Sequence, residues 1–411
     1  MGGGEIISMK FSIEKKLEGT LARAGTIETQ NGVIETPAFV VVGTKATVKA
    51  LTAEQIRSLG AQVVLANTYH LYLQPGTDIV ENAGGFGKFM DWHGPTMTDS
   101  GGFQAFSLGA AFGSAVSKVA SADAPVEDIS STAGQLAKVT DEGVTFKSHI
   151  DGSTHFFTPE SSMEAQWKIG ADMIFAFDEC TSPTAPYEYQ KKSLDRTYEW
   201  AKRCLAKHNE LDSEKKQALF AVIQGGRHQD LREEAAKTLG ALASSPELAE
   251  GFDGYGIGGS FTKDDIATAV SWVNKILPEE KPRHLLGIGE PRDLFDAVEA
   301  GCDLFDCIAP TRMGRHGTLH THDGRLNIRN AKFVDDFTPI ENDCSCYTCA
   351  HHSRAYIAHL FRADEMTAAT LASIHNIHFI LRLVEKMRQS IFDGDFFEFK
   401  KDFCSRYYKE V

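Results

Sequence analysis

Two groups of residues in this 411-residue chain have the types and spacing to do chemistry. The first is Cys344-Ser345-Cys346-Tyr347-Thr348-Cys349, the pattern C-x-C-x-x-C. Three thiolates this close can fill three corners of a Zn²⁺ tetrahedron, with a fourth ligand from elsewhere. His351, His352, His359, His375 and His378 are the candidates. A ligand two residues after Cys349 would strain the loop. His375, placed near the start of the final helical segment, would close the site by pinning that helix to the cysteines. A site with four protein ligands has no open position for water, so the metal reads as structural. The other cysteines (Cys180, Cys204, Cys302, Cys307 and Cys404) are scattered. That is the usage of reduced thiols, not of a disulfide framework.

The second group is a set of polar residues that end short apolar runs. Asp99 follows Pro95–Thr98, Asp178 follows Asp172–Phe177, Gln224 follows Ala218–Ile223, Ser260 follows Gly254–Gly259, and Asp306 closes Cys302–Asp306. Further runs at Ala38–Val42, Gln62–Ala66 and Arg283–Ile288 bring the total to eight. Most precede a helical pattern, such as Glu188–Asn209. Strands that alternate with helices form parallel sheets, because parallel neighbours need crossover connections. Eight such units over this length predict an α/β fold, a closed (β/α)8 TIM barrel. Active sites of that fold gather at the C-terminal ends of the strands. One Asp after a strand is also what a helix N-cap or a turn looks like. Several strands ending alike in carboxylates or hydrogen-bonding groups point instead to a shared site. GYGIGGS is a poor dinucleotide fingerprint, because no acidic partner follows at the right distance.

The elements around those residues divide the chain. Residues 1–10 read as a flexible Gly-rich extension, with Met9 a candidate natural start. Residues 11–312 read as the barrel, interrupted by an Ala/Ser-rich insertion over 109–136. A hairpin follows the insertion, turning at Asp141-Glu142-Gly143. Residues 313–363 carry the cysteines as a zinc-binding subdomain, and 364–411 are C-terminal helices that complete the barrel. Lys and Arg number 42 against 56 Asp and Glu, a net charge of −14, which argues against wholesale coating of nucleic acid while leaving room for a local basic groove. No apolar run approaches the ~18–20 residues needed to span a bilayer, and the N-terminus has no secretory pattern. A cytoplasmic protein without membrane partners is the expectation.

At MTDSGGFQ (Met97–Gln104), FDECT (Phe177–Thr181), QGG (Gln224–Gly226), FDCIAPTRMGRHG (Phe305–Gly317) and CSCYTCAHHSRAYIAHLF (Cys344–Phe361), the chain resembles the tRNA-guanine transglycosylases, in their bacterial queuosine-pathway form. TPAFVVVGTKATVKAL (Thr36–Leu51) and NTYHLYLQPG (Asn67–Gly76) extend the likeness, which runs from about Phe11 to the C-terminus. The resemblance implies a TIM barrel with a zinc-bearing insertion after strand eight and His375 as the fourth ligand. It also implies a homodimer through the zinc region. The implied activity replaces guanine at the anticodon wobble position with a 7-deazaguanine. The substrates would be tRNAs with a U-G-U anticodon context, the Asp, Asn, His and Tyr types. Asp306 matches the family's nucleophile and Asp99 its general acid/base. Such an exchange at C1′ keeps its configuration through two displacements, which needs one nucleophile and one acid/base.

A purine-like base also needs an edge reader and a stacking face. Asp178 can accept from the ring N–H and the exocyclic amine, and Gln224 offers both a donor and an acceptor. Gly259, Ser260 and Ser100 would add contacts. Phe103 matches a stacking aromatic, and Leu286 would supply the opposite apolar face. Arg312 and Arg315 follow the nucleophile closely enough to hold flanking phosphates or bases. Gly101 and Gly102 would let the backbone approach a flat base. The chain departs from the bacterial pattern after Gly258-Gly259, where Ser260-Phe261-Thr262-Lys263-Asp264 replaces the usual Leu-Ala-Val-Gly-Glu. That loop borders the substituent of the incoming base, so the choice between the aminomethyl precursor (preQ1) and queuine stays open, with overall bacterial likeness favouring preQ1. A non-catalytic tRNA-binding partner subunit is the competing reading, and the presence of both Asp99 and Asp306 argues against it. An unrelated TIM-barrel enzyme would be expected to carry a phosphate-gripping loop, and GIGEPRD is a poor one.

Overall fold

The computed structural model describes residues 9–110, 119–120, 137–212, 214, 216–242, 251–258, 261–262 and 265–409. Eight parallel strands close into a barrel: β1 (Ala38–Val42), β2 (Val64–Ala66), β3 (Thr96–Thr98), β4 (Met173–Phe175), β5 (Ala218–Ile223), β6 (Gly254–Ile257), β7 (Arg283–Leu285) and β8 (Leu304–Cys307). Closure is made by β8 against β1, with Asp306 opposite Val40. These are the eight apolar runs of the sequence, trimmed at their ends. They form because strands covered on both faces read as continuous Val/Ile/Leu/Phe runs.

Inward-pointing side chains fill the barrel. Val40, Leu65, Met97, Met173, Phe175, Phe220, Val222 and Leu304 pack there in one cluster, each at most 3% exposed. β6 is an unusual strand for a core, since it reads Gly-Tyr-Gly-Ile. Its glycines face large rings: a Cβ at Gly254 would lie 2.6 Å from the Phe220 ring, and one at Gly256 would lie 2.7 Å from that of Phe175. The barrel thus trades two side chains for two phenylalanines that fill the same volume, as close packing demands.

The sequence reading assigns no strands before Ala38, yet an antiparallel sheet of Lys10–Lys16, Arg23–Thr29 and Gly32–Thr36 precedes the barrel. Its fully buried Ile27 and Ile34 join the inward cluster beside Ala38, at the N-terminal ends of the strands. Arg23 fastens this plug. It donates from Nε and Nη2 to the two oxygens of Asp303 at 2.9 and 2.7 Å, and both residues are buried.

The hairpin after the insertion is present as Ala137–Val139 and Val144–Lys147, joined by a bond of 2.9 Å from Thr140 N–H to Gly143 O, with Thr154–Phe157 as a third strand. Most of the 109–136 insertion lies outside the described residues. Its Val119–Ala120 runs parallel to Phe261–Thr262, after β6. Past β8 come the helix Ala309–Arg315, a hairpin of Thr318–Thr321 and Gly324–Asn327, and helices Tyr347–His351, Arg354–Arg362, Met366–Asp393 and Phe396–Tyr408. Among the described residues, no helix is long and apolar enough to cross a membrane.

Candidate active site and metal centre

Three polar residues continue the inward rows of their strands. Asp99 lies two residues beyond inward Met97, Gln224 two beyond Val222, and Asp306 two beyond Leu304. Because all eight strands are parallel, these rows end at one mouth. The same alternation that packs the core therefore delivers polar groups to its rim.

Asp99 is held from three sides. Thr68 N–H donates to Oδ1 at 2.8 Å, Gln104 Nε2 to Oδ2 at 2.9 Å, and Asn67 Nδ2 also to Oδ2. Asn67 and Thr68 stand directly after β2, and Gln104 lies in the first turns of helix Gly102–Ala110. Two contacts converge on Asp306 Oδ1. His284 Nε2 lies 2.9 Å away, and Gly287 N–H donates at 2.9 Å. Its side chain is 15% exposed, while that of His284 is wholly buried.

Between these carboxylates runs a buried polar link. Ser100 Oγ donates to Asp178 Oδ1 at 3.3 Å, and Gln224 Nε2 to Asp178 Oδ2 at 2.6 Å. All three side chains are buried, and Gln224 Oε1 has no hydrogen-bond partner. Neighbouring Glu179 is not part of this link, because it binds Arg196 and the Tyr189 hydroxyl. Phe103 is half-buried in the first turn of its helix, and half-buried Leu286 packs against the barrel core. Gly259 and Ser260 lie outside the described residues, as do Lys263 and Asp264.

The glycines serve the protein more directly than a base. Gly101 has φ +79°, which favours glycine, and a Cβ there would lie 3.1 Å from the Phe157 ring. A Cβ on Gly102 would lie 2.8 Å from the Asp178 carbonyl oxygen, so the DSGG turn packs directly on the segment carrying the edge reader.

Sequence reasoning assigned no role to Arg232, on helix Gln229–Leu242. Its fully buried guanidinium donates to Gly226 O at 2.7 Å and Gly258 O at 2.9 Å, tying together the loops that follow β5 and β6. It also missed Asn67, Thr68 and Gln104 around Asp99, and His284 beside Asp306. The first three lie inside quoted motifs, whereas His284 sits in an apolar strand with nothing in the sequence to mark it.

Arg312 and Arg315 occupy the last turn of helix Ala309–Arg315, where the helix dipole favours cations. Arg312 is exposed and Arg315 half-buried. Among the described residues, neither is ion-paired. Burial, and then the nearby Arg312 charge, push the Arg315 pKa down, and its Nη1 is buried without a hydrogen-bond partner. Two guanidiniums with no ion-pair partner among the described residues, on the helix that follows Asp306 in the chain, suit an anion.

The Cys344, Cys346, Cys349 and His375 ligand atoms lie within 4.8 Å of one another. The three Sγ atoms are 3.8, 3.7 and 3.4 Å from His375 Nδ1. A tetrahedron with metal–sulfur bonds of about 2.3 Å and a metal–nitrogen bond of about 2.0 Å has edges of about 3.6 Å. The donor set therefore fits a tetrahedral ion. His375 Nε2 donates to His320 O at 2.7 Å, which leaves Nδ1 as the ligand atom, a pattern common among metal-binding histidines. His375 is the tenth residue of helix Met366–Asp393, not near its start, and another helix follows. The cysteines thus dock on the flank of a long helix rather than on its tip. Beside them lies a cavity of about 240 Å³ lined by residues including His322, Glu341, Cys344, His378 and Arg382, apart from the barrel mouth.

The family model described as Queuine tRNA-ribosyltransferase matches residues 18–409. The queuine tRNA-ribosyltransferase of Thermoanaerobacter pseudethanolicus is 45% identical over 407 residues, covering 98% of this chain and 99% of its own length. That of Desulforamulus reducens is 46% identical over 398 residues, covering 96% and 98% respectively. That of Staphylococcus aureus is 45% identical over 389 residues, covering 94% and 93%.

Proposed function

Because the chain belongs to the queuine tRNA-ribosyltransferase family, we propose that its barrel mouth exchanges guanine at the anticodon wobble position for a 7-deazaguanine, through an ester between Asp306 and the ribose. The reaction runs in two displacements. First, Asp306 attacks C1′, the bond from C1′ to N9 breaks, and its electron pair leaves with guanine, which Asp99 protonates. Then N9 of the incoming base attacks C1′, the electron pair of the ester bond returns to Asp306, and Asp99 recovers the proton. Asp99 fits this task because its three donors fix where the carboxyl points.

The observation that carries the reading is the buried Asp178–Gln224 pair. Asp178 can accept from the N–H groups of a guanine edge, and the second amide hydrogen of Gln224 can meet its carbonyl. An unpaired buried acceptor such as Gln224 Oε1 costs roughly 1–3 kcal/mol, a cost that a bound base would relieve. Ser100, bonded to Asp178, would touch the same base, and the family likeness adds Gly259 and Ser260, which lie outside the described residues. Phe103 and Leu286 would enclose its faces. The target nucleotide must leave its stack, which costs least in a single-stranded loop, consistent with a U-G-U anticodon context. Arg312 and Arg315 then hold the flanking phosphates.

The metal of the Cys344/Cys346/Cys349/His375 group is Zn²⁺ in this reading, one per chain, purely structural because all four positions are taken by protein. A homodimer through this region is supported by exposed aromatics around it. Tyr347 is 55% and Tyr356 42% exposed, and Tyr356 stacks on His352 with centroids 5.0 Å apart. None of the eight cysteines forms a disulfide, which suits the cytoplasm.

Incubation with an anticodon stem-loop and a base analogue tests the covalent step. A denaturant-resistant RNA adduct is expected from the unaltered chain and none from Asp306→Asn. Turnover by Asp306→Asn at the normal rate would overturn the mechanism. Exchange assays with preQ1 and with queuine decide the incoming base; preQ1 is expected, and incorporation of queuine alone would reverse that choice.

A further inference from the structure

We propose that His284 is a positioning residue for Asp306: as a neutral imidazole it donates from Nε2 to Oδ1, making Oδ1 the oxygen that does not attack and easing departure of the carboxylate in the second displacement. The inference rests on the covalent reading given above.

Two donors converge on Oδ1, His284 Nε2 and Gly287 N–H, each at 2.9 Å. Two donors aimed at Oδ1 from fixed positions hold the carboxylate against rotation. The imidazole is itself fixed. It is wholly buried on β7, meets the Phe175 ring edge-on with centroids 5.5 Å apart, and lies across from Gly256 and Leu304 on the flanking strands. Gly256 matters here, because a Cβ there would lie 2.7 Å from the Phe175 ring that packs on His284.

The protonation state follows from the far side of the ring. His284 Nδ1 is buried with no hydrogen-bond partner among the described residues. A cationic imidazole would bury an unpaired N–H there, which is costly, whereas the neutral Nε2–H tautomer leaves only a lone pair.

The chemistry places the benefit on the second step. When Oδ2 bonds to C1′, Oδ1 becomes the carbonyl oxygen of an ester and keeps both donors. When the incoming base displaces that ester, the electron pair of the breaking C1′–Oδ2 bond returns to the carboxylate and negative charge grows on Oδ1. Donors already aimed at that oxygen stabilise the charge as it develops. Losing one of them should slow release of the sugar more than its capture.

The test uses the full-length, metal-loaded protein and an anticodon stem-loop. Adduct is formed, then guanine is added and the decay of the adduct is followed. In His284→Leu, which keeps apolar bulk but has no donor, decay is expected to slow roughly 10- to 100-fold, about the worth of one hydrogen bond to a charged group. Adduct should accumulate during turnover while KM for the stem-loop is unchanged. His284→Gln, which can still present an N–H, should recover most of the rate. Should the leucine variant not fold, His284→Asn, polar but too short to reach Oδ1, takes its place with the same expectation. Normal adduct decay in the donor-less variant, or glutamine performing no better than leucine, would overturn the inference while leaving the covalent mechanism intact. Exchange without any adduct in the unaltered protein would remove that mechanism and this inference with it.

Discussion

A hydrogen atom in place of a methyl group decides where the Gln224 amide lies. A Cβ on Gly258 would lie 2.7 Å from Gln224 Nε2 and 2.8 Å from Val222 Cγ1, so only glycine lets Gln224 lie against Asp178. Gly258→Ala should push the amide off Asp178 and raise KM for guanine by about tenfold, the worth of one hydrogen bond to a carboxylate. KM for tRNA should stay within a factor of two or so, because the phosphate contacts lie elsewhere. Exchange kinetics with each substrate varied in turn would check this, and an equal rise in both constants would count against it. The same scale shows where sequence reading stops. Asp99, Asp178, Gln224 and Asp306 are legible because each ends an apolar run and falls in a motif. His284 is not, because its partner is 22 residues away and the two meet only once β7 and β8 pair. Arg232 is hidden likewise: a helical arginine reads as solvated until the fold buries it under two loops.

Elements are legible to the extent that burial is written on both of their faces. Each of the eight barrel strands falls within an apolar-rich run of the sequence. The N-terminal plug is harder to read, because its apolar positions alternate with polar ones: Ile27 and Ile34 reach the inward cluster with Phe11 packed beside them, while Lys10–Lys16 stays largely at the surface. Helix Pro159–Ile169 was also unassigned, although Thr158 caps it reciprocally with Ser161 and Pro159 opens its first turn. That helix is tied to Tyr187–Leu211 through Glu160, which accepts two bonds of 2.7 Å from Arg203. The hydrogen-bonded guanidinium holds the Glu160 carboxyl down from its ordinary 4.5 to about 2. A carboxyl depressed by folding stabilises fully above its unfolded pKa and loses that contribution as pH falls through the folded one. The pair is partly exposed, so solvent screening limits it to about 1 kcal/mol. Glu160→Gln should therefore cost about 1 kcal/mol in urea melts at pH 7, and roughly half of that should be gone by pH 3. A cost that does not change between those pH values would show that the lost stability comes from packing and not from the ion pair.

Across the whole molecule, the metal group and the barrel mouth share one helix. His375 and Asn376 are neighbours on Met366–Asp393. The first completes the ligand set, and the second donates from Nδ2 to Pro310 O at 3.0 Å and Thr318 O at 2.9 Å. Those carbonyls bracket the helix that carries Arg312 and Arg315. Contact there is close, since a Cβ on Gly314 would lie 3.1 Å from the backbone at Ala372 and Ser373. An ion held by this group would therefore bear on the proposed active site through the seating of a helix rather than through chemistry. Stripping it with a chelator leaves three thiols and an imidazole crowded together with nothing to bind, and the cysteine segment loses its anchor. The barrel has its own packed interior and its own N-terminal plug, so it should persist. The expected outcome is a split. Binding of a labelled anticodon stem-loop, followed by anisotropy, should weaken severalfold as the arginine helix loosens, while guanine binding by calorimetry changes little, because Asp178 follows β4, Gln224 follows β5, and Arg232 ties the loops after β5 and β6. Equal loss of both would mean that the metal supports the entire fold, and loss of neither would mean that Asn376 alone suffices to seat the helix.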